Sequence, residues 1–341
     1  MNRRQFLAGS TAIGLGLTGF ARAQSSPRAL PIPELVDLMS DWDERIQLKF
    51  ARSTHDFGNG AISETFGINR SYLGPVLRTK QGQTLPFDVK NELGEGASVH
   101  WHGLHIPGDV DGGPHQEIED GATWSPDVPI VQHASMNWFH SHTHGTTARQ
   151  TYNGLAGILL VEDDASLSAD LPKTYGVDDF TLVLQDKAFD AQGKMSYELT
   201  GEVFEDGFQG ETLVINGAIA PVAQSVPNGL VRLRLLNACN ARFLEISMQN
   251  GPVTVIASDG GFLSSSVQVD SILMSPGERY EILADLRSGQ GNALLVNLDG
   301  GGGGFLTNLF WGSSATTVLE LVPNGASGFD GSVPDSLANL S

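Results

Sequence analysis

The stretch of sequence that decides the fold reads HWHGLHIPGDVDGG and covers residues 100–113. A second stretch, WFHSHTHG, covers residues 138–145 and shares its main feature, histidines separated by a single residue. Alternate residues of a β-strand point to the same face, so each stretch presents paired imidazoles in one direction. The sequence therefore predicts strands that carry a histidine face.

The concentration of histidine predicts a metal site. Eight of the nine histidines lie between residues 100 and 144, and none follows His144. Imidazole is a common ligand of copper, zinc, iron and nickel. The two motifs together supply four ring nitrogens, from His100, His102, His140 and His142.

Two other metal-site patterns do not match. A zinc hydrolase of the His-x-His-x-Asp-His type requires an acid where Leu104 stands. A cupin requires a glutamate where Ile106 or Pro107 stands, and it leaves the second histidine pair without a role. Neither class of site accounts for both motifs.

The rest of the chain alternates apolar and polar residues over short segments. One series covers residues 46–51, 85–89 and 98–102, and a second covers 180–184, 231–236, 253–257 and 280–285. Glycine is frequent, at 41 residues, and only 17% of residues are charged, which suits a fold with many turns. Two comparable series of short strands predict an all-β protein made of two β-sandwiches in tandem.

These patterns divide the chain into segments. We predict a signal peptide at residues 1–23, a lead-in at 24–43, a first β-domain at 44–165 and a second at 178–323. Residues 324–341 are rich in Gly, Ser, Pro and Asp, which is typical of an interdomain linker. We interpret this segment as a linker to a third domain that the 341 residues do not include.

The first 23 residues have the pattern of an export signal. Asn2-Arg3-Arg4 forms a twin-arginine motif, an apolar stretch covers residues 6–20, and Ala21-Arg22-Ala23 offers a cleavage site. The apolar stretch is too short and too rich in glycine for a stable membrane span, and a poorly formed anchor is the alternative. The pattern predicts export to the periplasm by the twin-arginine pathway, which carries folded proteins.

The charge and the cysteine count exclude several classes of protein. The net charge of −19 repels nucleic acid and anionic lipid, so neither is expected as a partner. Cys239 is the single cysteine, so no intrachain disulfide can form. The fold must therefore depend on hydrophobic packing, with any bound metal adding to it.

The longer motifs resemble a known family. Residues 100–113 and 138–145, with Gly154-Leu155-Ala156-Gly157 beyond them, resemble two copper motifs of the multicopper oxidases, most like the periplasmic cuprous-oxidase or laccase-like branch. Strings at residues 215–217, 234–242 and 275–280 extend the resemblance through nearly the whole mature chain. The resemblance implies two Greek-key cupredoxin domains, which are plastocyanin-like sandwiches. It also implies oxidation of a reducing substrate, such as cuprous ion or a phenol, coupled to reduction of O2 to water.

The resemblance assigns roles to individual residues. It implies that His100 binds a type 2 copper and that a type 3 copper pair is bound by His102, His140 and His142. It places His144 outside the ligand set. Asp111 matches a family carboxylate that relays protons during oxygen reduction, and an Asp-Gly turn is the alternative interpretation of this residue.

The sequence departs from the family in two respects, its number of ligand histidines and its lack of a type 1 copper motif. The family cluster uses eight histidines, four of them from the last domain, and a type 1 copper bound within a His-Cys-His run. Cys239 has Ala238 and Asn240 as neighbours and no histidine beyond it, so no type 1 site is visible and Cys239 is predicted to be a buried small residue. The sequence thus predicts a type 2 and type 3 half-site.

Three explanations of the half-site stay open. The chain is a fragment or an interrupted reading frame, or a second polypeptide supplies the missing histidines. In the third explanation it is not an oxidase, but a periplasmic copper-binding or structural cupredoxin protein, like cell-division proteins built on this fold. All four copper histidines are present, which favours copper binding.

Overall fold

The computed structural model describes residues 27–40, 44–201, 206–297, 315–334 and 336–337. The predicted signal peptide at residues 1–23 lies outside these residues, as do residues 335 and 338–341 of the predicted linker. Among the described residues, none of the helices is long and apolar enough to cross a bilayer. The regular structure of the described residues is almost entirely β, as the alternation predicts.

The first sandwich consists of two packed sheets. One contains β2 (Leu35–Asp37), β5 (Val76–Lys80), β7 (His100–His102), β10 (Ser135–His140) and β11 (Ala156–Glu162), in the spatial order β2-β5-β11-β10-β7. The other contains β3 (Ile46–Asp56), β4 (Ile62–Ile68), β6 (Thr84–Glu92) and β8 (Thr123–Trp124), in the order β4-β3-β6-β8. The short strand β9 (Asp127–Pro129) also pairs with β6.

The second sandwich has a larger main sheet. This sheet contains β12 (Asp179–Phe189), β14 (Thr212–Ile215), β15 (Ala218–Ile219), β17 (Leu230–Asn237), β19 (Val253–Ser258), β20 (Gly261–Val269) and β22 (Arg279–Asp285), in the order β15-β14-β12-β17-β22-β19-β20. The strand β13 (Met195–Ser196) pairs with β12. The facing sheet contains β1 (Arg28–Ala29), β16 (Val222–Asn228), β18 (Leu244–Met248), β21 (Ile272–Met274), β23 (Asn292–Asn297) and β24 (Thr316–Ser327), in the order β1-β16-β24-β23-β18-β21.

Two short helices whose bounds lie within the described residues interrupt the strands. α1 covers Thr147–Asn153 and follows the second histidine motif, and α2 covers Asp164–Ser168 between the sandwiches. α2 begins with a capping box. The Asp163 side chain accepts a hydrogen bond from the Ser166 backbone N–H, and the Ser166 hydroxyl oxygen accepts one from the Asp163 backbone N–H. The box satisfies helix N–H groups that have no partner within the helix.

Alternation along the strands decides which side chains form the cores. In β6, Leu85, Phe87 and Val89 are buried while the residues between them are partly exposed, which confirms the predicted period of two. Phe87 stacks on Trp101 at 4.4 Å between ring centroids and so joins the two sheets of the first sandwich. A separate core fills the second sandwich and includes Leu182, Leu233 and Leu294.

The two sandwiches share a third apolar cluster. Met136 and Trp138 of the first sandwich pack in it with Val183 and Leu236 of the second. Because Met136 and Trp138 face outward from the first core, β10 is buried on both faces. The outer face of β10, which also carries His140, therefore faces the second sandwich.

The predicted segment boundaries stay predictions, but three features bear on them. The predicted lead-in contains β1, which joins the second sandwich, and β2, which joins the first. At the other end, β24 continues to Ser327, past the predicted domain end at 323. Leu337 is also buried against the second sandwich, so residues expected in the linker pack on this domain.

A buried lysine lies near the junction of the sandwiches. Lys187 on β12 is fully buried, donates a hydrogen bond to the Tyr152 carbonyl oxygen and lies 3.8 Å from the centre of the Tyr152 ring. Burial lowers the pKa of Lys187 to about 7. In an unfolded chain a lysine titrates near 10.4, so the folded state loses this proton first as the pH rises.

This lysine predicts a pH dependence of stability. Below about pH 7 both states are protonated, and above it the unfolded state binds more protons, so stability rises with pH. We expect the free energy of unfolding to rise by about 2 kcal/mol more between pH 7 and 9 in the native sequence than in Lys187→Met. Urea unfolding at both pH values measures this difference. The exposed Lys49→Met serves as the matched control and should keep the native rise; an equal rise in Lys187→Met would contradict the prediction.

Candidate metal centre

Strand pairing brings the two histidine motifs together. β7 and β10 are antiparallel neighbours, with His102 opposite Trp138 and His100 opposite His140. Trp101 and Phe139 point the other way, into the core of the first sandwich. His100, His102, His140 and Trp138 therefore share one face of the sheet, as the predicted alternation requires.

Three of the four predicted histidines form a tight group. His100, His102 and His140 each offer a ring nitrogen, and these nitrogens all lie within 4.8 Å of one another. Nδ1 of His102 is 3.2 Å from Nε2 of His140. The His142 ring lies close by, with its centroid 5.2 Å from that of His100, although it is not part of the tightest group.

Hydrogen bonds orient two of the rings. Nδ1 of His140 donates to the Ser141 carbonyl oxygen at 2.8 Å, and Nδ1 of His100 donates to the Asp111 carbonyl oxygen at 3.1 Å. A carbonyl oxygen only accepts, so the proton of each neutral ring must lie on Nδ1. Each ring therefore has its lone pair on Nε2, the arrangement that partners of metal-binding histidines usually impose, and Nε2 of His140 faces Nδ1 of His102.

Burial keeps two of the rings neutral. Burial, with smaller contributions from Arg279 and the neighbouring histidines, lowers the pKa of His102 to about 4. Burial also lowers the pKa of His140 well below its ordinary value. A histidine must be neutral to bind a metal, so the chemistry of these donors fits a metal ion at neutral pH.

Other side chains fix the surroundings of the rings. Trp138 stacks on His140 with 4.0 Å between centroids, and its ring centre is 5.1 Å from that of His102. The Ser98 hydroxyl accepts the backbone N–H of His142. These contacts restrict the rotation of the rings and preorganise the donors.

Asp111 lies beside His100. Its carboxylate Oδ1 is 3.2 Å from Nδ1 of His100, and its backbone oxygen also accepts the backbone N–H of Trp101. Gly112 has φ +73°, and a Cβ on it would overlap the Val99 carbonyl oxygen, so only glycine allows this loop to pack against β7. The structure thus places the predicted proton-relay carboxylate next to a predicted ligand.

The second sandwich supplies a neighbour that the sequence did not single out. The loop before β22 brings Gly277 against the site, where an added Cβ would lie 3.3 Å from Cε1 of His102. Arg279 follows and its side chain is buried. In the sequence, residues 275–280 carry a family resemblance but no sign of this contact, because a contact across 175 positions leaves no periodic signal.

The remaining predicted residues lie apart from the group. His144 is exposed, in agreement with its place outside the expected ligands. Cys239 is free and buried in the core of the second sandwich, which confirms the prediction of a buried small residue. Burial raises the pKa of its thiol well above the ordinary value, so the thiol stays protonated. Among the described residues, the converging donors are those of His100, His102 and His140, and Cys239 is not one of them.

Two family models match the chain. Both are described as multicopper oxidase, one over residues 50–166 and the other over residues 160–305. Together they cover the strands of both sandwiches from β3 to β23. The first match contains every histidine of the metal-binding group.

Comparison with known proteins gives two kinds of relative. The chain is 39% identical over 331 residues to the cell division protein FtsP of Edwardsiella tarda, covering 95% of this chain and 69% of that protein. It is 40% identical to the FtsP of Shigella dysenteriae, of which it spans 61% of the length. A solved structure of a bacterial laccase-like multicopper oxidase, CueO from Ochrobactrum sp., superposes with a TM-score of 0.83 at 39% identity, covering 92% of this chain and 68% of that one.

Proposed function

Because the chain belongs to the multicopper oxidase family, we propose that its histidine face binds copper. The observation that carries the proposal is the convergence of three ring nitrogens within 4.8 Å, on two paired strands. The Nδ1 protons of His100 and His140 are already engaged, so the lone pair of each ring lies on Nε2, and a metal would replace the contact between His140 Nε2 and His102 Nδ1. Among divalent first-row metals, copper forms the strongest complexes with such nitrogen donors.

The family suggests how the donors divide. By the family resemblance we assign His100 to a type 2 copper, and the Asp111 loop holds its ring. His102, His140 and His142 then belong to a type 3 pair. When bound, copper supplies one-electron redox chemistry and reactivity toward O2. Burial holds the rings of His102 and His140 neutral, and Asp111 would offer a proton route beside His100.

The complete reaction is proposed only for an assembly with further ligands. It would oxidise a reducing substrate, cuprous ion or a phenol, and reduce O2 to water. The Ochrobactrum CueO has oxidase activity towards lignin model compounds and lignosulfonate, and the similarity to that protein supports a phenol as the reducing substrate here. No histidine of the 341-residue sequence follows His144, so we propose that the additional ligands come from a second polypeptide or from chain beyond these residues.

A second candidate is a role without catalysis. The FtsP proteins of Edwardsiella tarda and Shigella dysenteriae are 39% and 40% identical to this chain, and their name is that of cell division proteins. This similarity favours a structural or copper-binding role. For both candidates we propose a periplasmic location reached through the twin-arginine pathway, on the basis of Arg3, Arg4 and the apolar stretch at residues 6–20.

Copper titration of the purified chain tests the proposal. We expect at least equimolar copper, nitrogen hyperfine structure in the electron paramagnetic resonance spectrum of copper(II), and no intense band of Cys–copper charge transfer. A chain that binds no copper would favour the structural candidate. An intense charge-transfer band would show that Cys239 is a ligand and would contradict our interpretation of its burial.

The variant Asp111→Asn separates proton relay from a turn role. Asparagine keeps the shape and an acceptor oxygen, so we expect copper affinity to stay within about threefold of native. It cannot relay a proton at neutral pH, so reoxidation of the copper(I)-loaded chain by O2 should slow by at least about tenfold. Stopped-flow absorbance measures this rate, with Asp109→Asn on the same loop as the control. An unchanged rate would leave Asp111 as a turn residue.

A further inference from the structure

Arg279 brings a positive charge from the second sandwich to the metal-binding group. One of its terminal nitrogens lies so near Gly103 that a Cβ there would be 2.7 Å from it, and Gly103 directly follows His102. Its Nε donates to the Met136 oxygen at 3.0 Å, on the strand that carries His140. The guanidinium is therefore fixed beside both histidine strands rather than exposed to solvent.

The charge of Arg279 is only partly compensated. Its Nη1 lies 2.9 Å from a carboxylate oxygen of Asp259, whose side chain is 47% exposed, against 5% for Arg279. The other acceptors are neutral backbone oxygens of Met136, Gly277 and Asp259. Burial lowers the pKa of Arg279, although Asp259 and Glu278 oppose this effect. An arginine remains charged at any physiological pH, so the site experiences a persistent positive field.

Gly277 explains how the loop comes so close. Its φ of +87° and the 3.3 Å between an added Cβ and Cε1 of His102 both favour glycine at this position. The loop that leads into Arg279 therefore packs directly against a predicted ligand. The Arg279 side chain is buried, and an electrostatic interaction is stronger where solvent is excluded.

We infer that the positive charge of Arg279 makes the histidine face bind copper(I) more favourably relative to copper(II). The inference rests on the proposed copper binding. A fixed positive charge destabilises a doubly charged ion more than a singly charged ion at the same place. The second sandwich thus adjusts the reduction potential of a site whose predicted ligands all belong to the first. Such tuning from outside the ligand set is a general property of metal centres.

The experiment measures both oxidation states of copper. Competition with a copper(I) chelator and with a copper(II) chelator gives two dissociation constants for the native chain and for three variants. In Arg279→Gln we expect the ratio of copper(II) to copper(I) affinity to rise about tenfold, equivalent to about 59 mV lower potential for a one-electron couple. Arg279→Lys keeps the positive charge, so its ratio of copper(II) to copper(I) affinity should stay within about threefold of the native ratio. Asp259→Asn removes the compensating carboxylate and should shift the ratio about threefold in the opposite direction.

The outcomes separate the possible failures. If Arg279 only supports the loop, Arg279→Gln weakens both oxidation states equally and the ratio stays at the native value, which overturns the inference. Asp259→Asn changes a half-exposed side chain, so it tests the sign of the effect even if Arg279→Gln folds poorly. If the native chain binds no copper, the proposed function fails and the inference with it, whereas native copper binding with an unchanged ratio in all variants refutes the inference alone.

Discussion

The double variant His102→Gln, His140→Gln is expected to lose copper affinity by more than about 100-fold. Loss of a residue that merely supports a ligand typically lowers metal affinity 10–100-fold, and this variant removes two of three converging donors. Glutamine has a similar volume and can donate to the Ser141 oxygen that now accepts from His140. The change should therefore affect the metal far more than the fold.

The controls for this variant come from the same chain. His144→Gln alters an exposed histidine two residues beyond His142, and His133→Gln alters one whose side chain is 86% exposed. Both should bind copper as the native chain does. Calorimetric titration with copper(II) gives the affinities, and circular dichroism checks that all variants are folded. Retention of native affinity by the double variant would place the copper elsewhere.

The second large effect concerns the buried ion pairs on the main sheet of the second sandwich, where the first sandwich contributes Glu162. Arg234 on β17 contacts both carboxylate oxygens of Asp179, at 2.8 and 2.7 Å, and an oxygen of Glu281 at 3.2 Å. Glu162 of the first sandwich lies 3.7 Å away. Burial alone would raise the pKa of Asp179, but Arg234 holds it below its ordinary value. Asp179 therefore stays charged, with Arg234 as its direct cation, whereas Glu281 is also bound by Arg232.

We expect Arg234→Met to lower the free energy of unfolding by about 3–5 kcal/mol, because it leaves the buried carboxylate of Asp179 without its direct cation. The double variant Arg234→Met, Asp179→Leu removes both charges and should recover at least about 2 kcal/mol of this loss. Urea unfolding at pH 7 measures both. The exposed pair of Arg287 and Asp285 provides the control, since Arg287→Met should change stability by less than about 1 kcal/mol. If Arg234→Met lowers the free energy of unfolding no more than Arg287→Met does, the buried ion pair does not stabilise the fold and the prediction is wrong.

Local pattern was sufficient to predict the strands and the histidine face. The alternation of Leu85, Phe87 and Val89 predicts a half-buried strand because side-chain direction has a period of two in any strand. The same rule puts His100 and His102 on one face. Alternation alone does not pair the two motifs, and the expectation that they meet came from the family resemblance. In the structure the two motifs meet because β7 and β10 pair as antiparallel neighbours.

Contacts between the sandwiches could not be predicted in this way. Lys187 has the pattern of an ordinary polar residue in an alternating strand, yet β12 is buried on both faces because a second layer covers it. Arg279 likewise occurs in a polar string whose partners Met136 and Gly103 are more than 140 positions away. Such placements depend on how two preformed units dock, and a single sequence carries no periodic signal for docking.

The short strand β1 carries a consequence for the order of folding. Arg28 and Ala29 pair with β16, and the other neighbour of β16 is β24, which ends at Ser327. A few residues later β2 pairs with the first sandwich. During synthesis the first sandwich has all its strands once Glu162 has emerged, whereas β1 has no complete sheet to join until almost 300 further residues have followed it. The segment next to the predicted export signal is thus expected to be among the last to pair with its sheet. Pairing of β1 with β16 would then follow the completion of the second sandwich.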